Sequence, residues 1–170
     1  MNSGQVETIK VISQENWSNL NKDELGMLLA DGAVILFDKP SGVTSHDVVF
    51  QVRKQITNLT GQKVKVGHAG TLDPLATGLL IVLIGPAVKK QDEWQNMDKE
   101  YECVAWMGLS SDTYDIDGKV EVANDFEKTE LENNVSKFMG YIRQTVPVYS
   151  ALKQKGKKLY ARARDGDVDW

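Results

Sequence analysis

The chain has 170 residues, of which 41% are hydrophobic and 26% charged, and its formal net charge is −4. These values are typical of globular proteins and argue against the disordered and membrane classes. The longest apolar run, Leu79 to Ile84, is too short to cross a bilayer. No secretory signal is visible, and the single cysteine, Cys103, cannot form an internal disulfide. A reduced, cytoplasmic setting is therefore expected.

The first sixty residues predict an extension, a strand and a helix. Residues 1–30 are polar and weakly patterned, and we interpret them as an N-terminal extension with a short helix near Asp23 to Leu29. Ala33 to Phe37 is predicted as a buried strand because a short apolar run ends there at turn residues. Ser45 to Thr57 has apolar residues at helical spacing, which predicts an amphipathic helix with Thr44 or Ser45 as its N-cap.

A glycine-rich loop is predicted between two further strands. Val64 to Val66 is predicted as a short strand. Residues 67–78 contain three glycines and a proline, which favours a loop. Leu79 to Ile84 is predicted as a buried strand that stops at Gly85-Pro86.

The second half predicts a strand, a turn, another strand and a helix. Residues 101–107 alternate in a way that predicts a strand with one face in the core. A turn at Asp112 to Gly118 and a strand at Lys119 to Val122 follow. Thr129 to Met139 is predicted as a helix. Its inward residues are expected to be Leu131, Val135, Phe138 and Met139. Together the elements indicate an α/β or α+β fold with a mixed, largely antiparallel sheet flanked by helices.

A basic segment near the C-terminus contrasts with the acidic remainder. Residues 151–164 carry six cations and no acid, so that residues 151–170 sum to +3 and residues 1–150 to −7. A local basic run on an acidic body can neutralise RNA phosphates. The alternative is a solvated helix face, and charge alone does not separate the two. Tyr160, among the cations, slightly favours RNA.

Asp73 is the carboxylate best placed for chemistry. It lies in the predicted glycine-rich loop, directly before Pro74 and close to a buried strand. A carboxylate on a loop anchored in this way can serve as a nucleophile or a base. The alternative is that the Asp73 side chain caps its own turn, and the residue pattern by itself favours that alternative.

The segment GHAGTLDPLATG, residues 67–78, closely resembles the catalytic segment of the TruB family of pseudouridine synthases. The resemblance spans residues 33–166 in the family's order, which suggests the N-terminal part of the catalytic domain at residues 31–146 and a thumb-like RNA-binding segment at residues 147–170 that is cut short. Four further segments resemble parts of the family. Residues 38–42 resemble its first motif, and residues 99–101 resemble the segment that supplies the active-site tyrosine. Residues 112–118 resemble its acidic turn, and residues 144–164 resemble its thumb.

The resemblance implies isomerisation of a uridine to pseudouridine in the T arm of tRNA, at tRNA position 55. The target base would be flipped out of its stack, and no cofactor or metal would be needed. Asp73 would be the catalytic carboxylate, and its role as nucleophile or base stays open. The implied partner is the T stem-loop of tRNA, with no membrane and with the chain acting as a monomer.

The resemblance also implies roles for the substrate-binding residues. His68 would be a wedge that helps to displace the base, and Tyr101 would stack on the flipped uracil. Lys39 would support the catalytic loop rather than catalyse. The other implied substrate contacts are Gly70, Thr71, Lys153, Lys157, Lys158, Tyr160 and Arg164.

Family members continue into a second half of the catalytic domain, whose arginine pairs with the catalytic carboxylate, and into a small PUA domain. Neither follows residue 170. We do not assign the role of this arginine to Arg143, because the residues that follow Arg143 differ from those of the family's arginine segment. We therefore expect a truncated protein that is weakly active or inactive alone. The alternative is a non-catalytic tRNA-binding or tRNA-folding chaperone fragment. A metal site is disfavoured because His46 and His68 lie in different predicted elements.

Overall fold

A four-stranded mixed sheet organises the first of two units, Met1–Glu100 and Tyr101–Trp170. The structure is a computed structural model that describes residues 9–123, 127–147, 149–150, 153–154 and 156–164. The strands β1 (Lys10–Ser13), β2 (Ala33–Lys39), β3 (Val66–Ala69) and β4 (Gly78–Ile84) lie in the order β1-β2-β4-β3. β1 runs parallel to β2, and the other neighbouring pairs are antiparallel. The predicted fold class is confirmed.

Helices cover both faces of this sheet. The helices of the first unit are α1 (Gln14–Ser18), α2 (Lys22–Asp31), α3 (Ser45–Thr60) and α4 (Gln91–Gln95), with a 3-10 helix at Gly85–Lys90. On one face Ile35 and Val82 join the buried residues of α1, α2 and α3 in the main core. On the other face Val34 and Leu83 pack with Ala87 of the 3-10 helix. The alternation follows from the two-residue period of a strand.

The segment interpreted as an extension contributes to the main core where the structure describes it. β1 pairs with β2 from Lys10 to Ser13. Trp17 of α1 is buried, and its indole Nε1 donates a hydrogen bond of 3.0 Å to Gln55 Oε1 of α3. The helix expected near residues 23–29 is present as α2, which buries Leu25 against the same core.

Helix α3 begins where its capping residues place it. Thr44 is the N-cap, and its hydroxyl accepts a hydrogen bond of 3.1 Å from the Asp47 amide. The Asp47 carboxylate in turn accepts from the Thr44 hydroxyl at 2.7 Å and the Thr44 amide at 2.9 Å. These two bonds lower the pKa of Asp47, and the bond from the Thr44 hydroxyl has the larger effect. The helix ends at Gly61, whose φ is +72°.

The strand predicted at residues 64–66 is displaced along the chain. β3 begins at Val66 and includes Gly67, His68 and Ala69, which the sequence had assigned to the loop. Antiparallel pairing with β4, as in His68 opposite Val82, gives these residues their extended geometry. Glycine in a strand is unfavourable on local grounds, but a partner strand overrides that preference here.

The second unit contains short elements. Its elements are β5 (Leu109–Ser111), β6 (Val120–Val122), α5 (Lys128–Val135), a 3-10 helix (Ser136–Phe138), β7 (Lys153–Gln154), β8 (Lys157–Lys158) and α6 (Leu159–Arg164). β5 pairs with β6, and β7 with β8, both antiparallel. In the described part of the chain, no helix is both long enough and apolar enough to cross a bilayer.

Two predictions for this unit are wrong. Residues 101–107 form no strand, and Trp106 is 72% exposed. Alternation predicts a strand only if a neighbouring strand supplies hydrogen bonds, and none of the described residues does so here. The helix ends earlier than predicted, and Val135, Phe138 and Met139 are exposed rather than inward. The Leu131 side chain lies outside the described residues.

Candidate active site

Asp73 lies in the middle of the connection between β3 and β4. The connection is fixed at both ends because these strands pair along the whole of β3. Gly70 begins it with φ +99°, and Gly78, the first residue of β4, has φ +116°. Both values lie in the region that side-chain-bearing residues rarely adopt. The glycines therefore permit the sharp path that presents Asp73.

The carboxylate of Asp73 is exposed and uncommitted. Its side chain makes no hydrogen bond or ion pair with any residue in the described ranges. The turn is closed by the backbone instead, because the Asp73 carbonyl accepts from the Ala76 amide at 3.1 Å. The alternative in which the Asp73 side chain caps its own turn is therefore not the arrangement seen. The carboxylate is available to a ligand.

Lys39 is fully buried and ties the end of β2 to the connection between β3 and β4, residues 70–77, which we call the Asp73 loop. Its Nζ donates to three backbone carbonyls: Val43 at 2.8 Å, Pro40 at 3.0 Å and Pro74 at 3.2 Å. These bonds use all three protons of the ammonium group. The side chain is thus committed to holding backbone together and is not directed at a ligand.

Three other residues, two in the turn after β2 and one at the start of α3, hold the same loop. The Gly42 amide donates to the Pro74 carbonyl at 2.8 Å, so this oxygen accepts from two groups. The Ser41 hydroxyl donates to the Leu75 carbonyl at 3.0 Å. The Ser45 hydroxyl bonds to both backbone groups of Leu72. Leu72 is therefore fixed to the start of α3, and Pro74 to the end of β2 and the turn that follows it.

His68 stands at the other side of the loop, in β3. Its Nδ1 lies 2.5 Å from the Gly70 carbonyl oxygen. A carbonyl can only accept, so Nδ1 carries the proton. In the tautomer with the proton on Nδ1, Nε2 is an acceptor on a partly exposed side chain. No group of three or more potential metal-ligating side chains occurs among the residues described.

The predicted site residues divide between the two units. Lys39, His68, Gly70 and Thr71 lie with Asp73 in the first unit, and Thr71 is exposed. Residue Tyr101 opens the second unit, and its side chain is 71% exposed. Lys157 is exposed in β8. The side chains of Lys153, Lys158, Tyr160 and Arg164 lie outside the described residues.

Ser45 was considered from sequence only as a possible helix cap. In the structure the cap is Thr44, which leaves the Ser45 hydroxyl free to bond elsewhere. A helix N-terminus needs one capping side chain, so the second of two adjacent hydroxyl residues is open to another role. The tandem Thr44-Ser45 pair was the available sequence signal.

Comparison with known proteins gives a consistent result. Residues 54–168 match the family described as "TruB family pseudouridylate synthase (N terminal domain)". A "tRNA pseudouridine synthase B" of Caldicellulosiruptor saccharolyticus is 46% identical over 135 residues, 78% of this chain and 45% of that protein. A protein of the same name from Fusobacterium nucleatum is 42% identical with the same two coverages. Another, from Phocaeicola vulgatus, is 39% identical over 83% of this chain and 62% of that protein. The chain thus spans about half the length of these relatives.

Proposed function

The chain belongs to the TruB family of pseudouridylate synthases, and we propose that it converts a uridine of tRNA to pseudouridine with Asp73 as the catalytic carboxylate. One observation carries the proposal. Asp73 is exposed, without a partner among the described residues, on a loop whose flanking residues are held by Lys39, Gly42 and Ser45. A rigid backbone that presents a free carboxylate suits a nucleophile or base. The names of the relatives supply the substrate class.

The proposed reaction needs no second substrate. The bond between uracil nitrogen and the sugar breaks, the uracil turns over, and a carbon–carbon bond forms to the same sugar. The proton that leaves the uracil carbon goes to solvent, and the ring nitrogen released from the sugar takes up a proton, so that the product is an isomer of the substrate. The Asp73 carboxylate either attacks the nucleotide, forming a bond that breaks again before the product leaves, or removes a sugar proton that it later returns. The target is the uridine at position 55 of the T arm, which must leave its stack at a cost of about a few kcal/mol.

Other residues are proposed to receive the displaced base and hold the RNA. His68 acts as the wedge beside the loop. Tyr101 stacks on the flipped uracil, a contact worth about 1–3 kcal/mol per base in general. Gly70 and Thr71 contact the nucleotide from the loop. The cations at Lys153, Lys157, Lys158 and Arg164, with Tyr160 among them, bind phosphates of the T stem.

Asp73→Asn tests the proposal. The amide keeps the shape of the carboxylate but is neither a nucleophile nor a base at neutral pH. We expect the variant to lose pseudouridine formation and to keep tRNA affinity within about threefold, since phosphate contacts dominate affinity. Formation is measured by tritium release from uracil-labelled tRNA, with mass spectrometry to locate the modified base.

The matched control is Asp31→Asn, which makes the same chemical change at an exposed position at the end of α2. It should leave turnover unchanged. Turnover retained by Asp73→Asn, or modification of uridines outside the T arm only, contradicts the proposal. An isolated T stem-loop should serve as substrate, and an anticodon stem-loop should not.

A non-catalytic tRNA-binding or tRNA-folding activity is the second candidate. It is favoured by the lack of any ion pair to the Asp73 carboxylate in the described ranges, because a paired cation would hold the carboxylate in one orientation. For the same reason we expect turnover of this chain alone to be below that of a whole relative. If the wild-type chain never modifies tRNA yet accelerates its refolding, the second candidate holds.

A further inference from the structure

Ser45 makes two hydrogen bonds to Leu72, the residue directly before Asp73. Its Oγ accepts a hydrogen bond of 2.9 Å from the Leu72 amide and donates one of 3.1 Å to the Leu72 carbonyl. The side chain is 2% exposed. One hydroxyl therefore satisfies both backbone groups of a single loop residue, away from water.

This pair fixes Leu72 more firmly than either bond alone. A hydroxyl that donates to and accepts from the same residue restrains both its position and its orientation. Hydrogen bonds are also stronger in a buried setting than in water. The Leu72 side chain packs against the main core in addition. Ser45 itself is buried and belongs to α3, a helix of 16 residues whose apolar face packs in that core.

The residue after Asp73 is fixed independently. The Pro74 carbonyl accepts from Lys39 Nζ at 3.2 Å and from the Gly42 amide at 2.8 Å. Asp73 thus has two restrained neighbours, and Ser45 supplies the restraint on its N-terminal side. Loss of that restraint frees the peptide between Leu72 and Asp73 while the Pro74 side stays held.

We propose that Ser45 is a positioning residue that orients the Asp73 carboxylate through Leu72. The catalytic meaning of this role rests on the proposed function. The physical reason is that a carboxylate misplaced by about 1 Å can lose about a hundredfold in rate. Ser45 touches neither the RNA nor the reacting atoms in this scheme, so its loss should lower kcat and leave KM nearly unchanged.

The first test does not depend on activity. Amide hydrogen exchange of the whole chain is measured by NMR for the wild type, Ser45→Ala and Thr44→Ala. Ser45→Ala should lose at least about tenfold of the protection at the Leu72 amide, and the Asp73 amide resonance should shift and broaden. Amides in β4 should be unaffected. Unchanged exchange at Leu72 in Ser45→Ala overturns the proposal.

Thr44→Ala is the matched control for helix stability. It removes the N-cap of the same helix but no contact to the Asp73 loop. It should lower the melting temperature, because a cap is typically worth about 1 kcal/mol, and leave Leu72 protection and kcat within about twofold of wild type. A loss of kcat in Thr44→Ala equal to that in Ser45→Ala overturns the proposal, because general destabilisation then explains both.

The second test separates positioning from binding. Ser45→Ala should reduce kcat by about tenfold or more with KM within about twofold, and Ser45→Thr, which keeps the hydroxyl, should recover most of the rate. An unchanged kcat in Ser45→Ala, or a change confined to KM, contradicts the role. If the wild type forms no pseudouridine at all, the proposed function fails, and the exchange data alone then decide whether Ser45 positions Asp73.

Discussion

At the scale of single residues, Lys39 shows how a buried cation can be stable without a carboxylate. Its three protons meet three carbonyl oxygens, and none of these partners is acidic. Carbonyl dipoles converge on the ammonium group and replace the water that burial removes. The side chain joins Pro40 and Val43 to Pro74, so that its charge stabilises the geometry of the Asp73 loop.

Replacing Lys39 with Met tests this account. Met has a similar length but no donor, so the Pro40 and Val43 carbonyls lose the Lys39 bond, while Pro74 keeps its bond from Gly42. At about 1–3 kcal/mol for each of these two carbonyls, we expect a loss of about 2–6 kcal/mol in the free energy of unfolding. Urea denaturation measures it. Lys63→Met, at an exposed position, should change stability by less than about 0.5 kcal/mol.

The cost of the backbone conformation at Gly70 can be tested with Gly67 as the matched control. Gly70 has φ +99°, whereas a methyl group at Gly67 would lie 3.6 Å from Val88 Cγ1, an ordinary contact. Gly70→Ala should therefore lower the free energy of unfolding by about 1 kcal/mol or more, and Gly67→Ala should be tolerated. Thermal melts of the two variants give the comparison. Equal melting temperatures would show that the backbone conformation at Gly70 imposes no cost.

The loop position of Asp73 and the support from Lys39 were predicted from the sequence, whereas the supports from Ser41 and Ser45 were not. The motif around Asp73 is continuous in the chain, so its residues could be recognised together. The contacts of Ser41 and Ser45 join positions 34 and 27 residues apart. Such contacts depend on how α3 lies against the loop, and no local pattern encodes that arrangement.

At the scale of elements, helix α3 carries a titratable cap. The hydrogen bonds from Thr44 lower the pKa of Asp47. A carboxyl group whose pKa is lower in the folded chain than in the unfolded chain stabilises the fold above the unfolded value, about 4. This stabilisation is lost as the pH falls through the folded value. The cap should therefore weaken only in acid.

Asp47→Asn measures that contribution. The difference in unfolding free energy between wild type and variant should be constant from about pH 7 to pH 5 and shrink below about pH 4, where the wild-type carboxylate is protonated. Other carboxyl groups titrate in the same range, so the difference between the two proteins is the informative quantity. A difference that stays the same at all pH values would contradict the titration of Asp47 as its source.

Elements that depend on local signals were predicted well, and those that depend on partners were not. β2, α3 and β4 follow from an apolar run, a helical period and flanking turn residues. β3 and the residues 101–107 were misplaced because strand formation requires a neighbour at the right register. The hydroxyl residues Thr44 and Ser45 were a local signal, and the helix begins at Ser45 as predicted.

At the scale of the whole molecule, the two units differ in burial. Among the residues that the structure describes, all the buried hydrophobic ones belong to the first unit, whereas those of the second unit are exposed or half-buried. Burial of apolar surface is the main stabilising contribution in folded proteins. The described part of the second unit therefore has little of its own to resist opening.

Limited proteolysis with chymotrypsin should reveal this difference. The first cleavages are expected at exposed aromatic residues of the second unit, such as Tyr101, Trp106 and Tyr141, because proteolysis follows local opening. A fragment containing β1 to β4 should persist, since Trp17 is buried and Phe50 lies within α3. Mass spectrometry over a time course identifies the fragments. Cleavage within the four-stranded sheet at a similar rate would contradict the assignment of stability to the first unit.

The same proteolysis assay tests RNA binding by the basic segment, residues 151–164. If this segment binds RNA as proposed, tRNA should slow cleavage in the second unit at low salt. This protection should fall as the salt concentration rises, because phosphate contacts are salt-dependent.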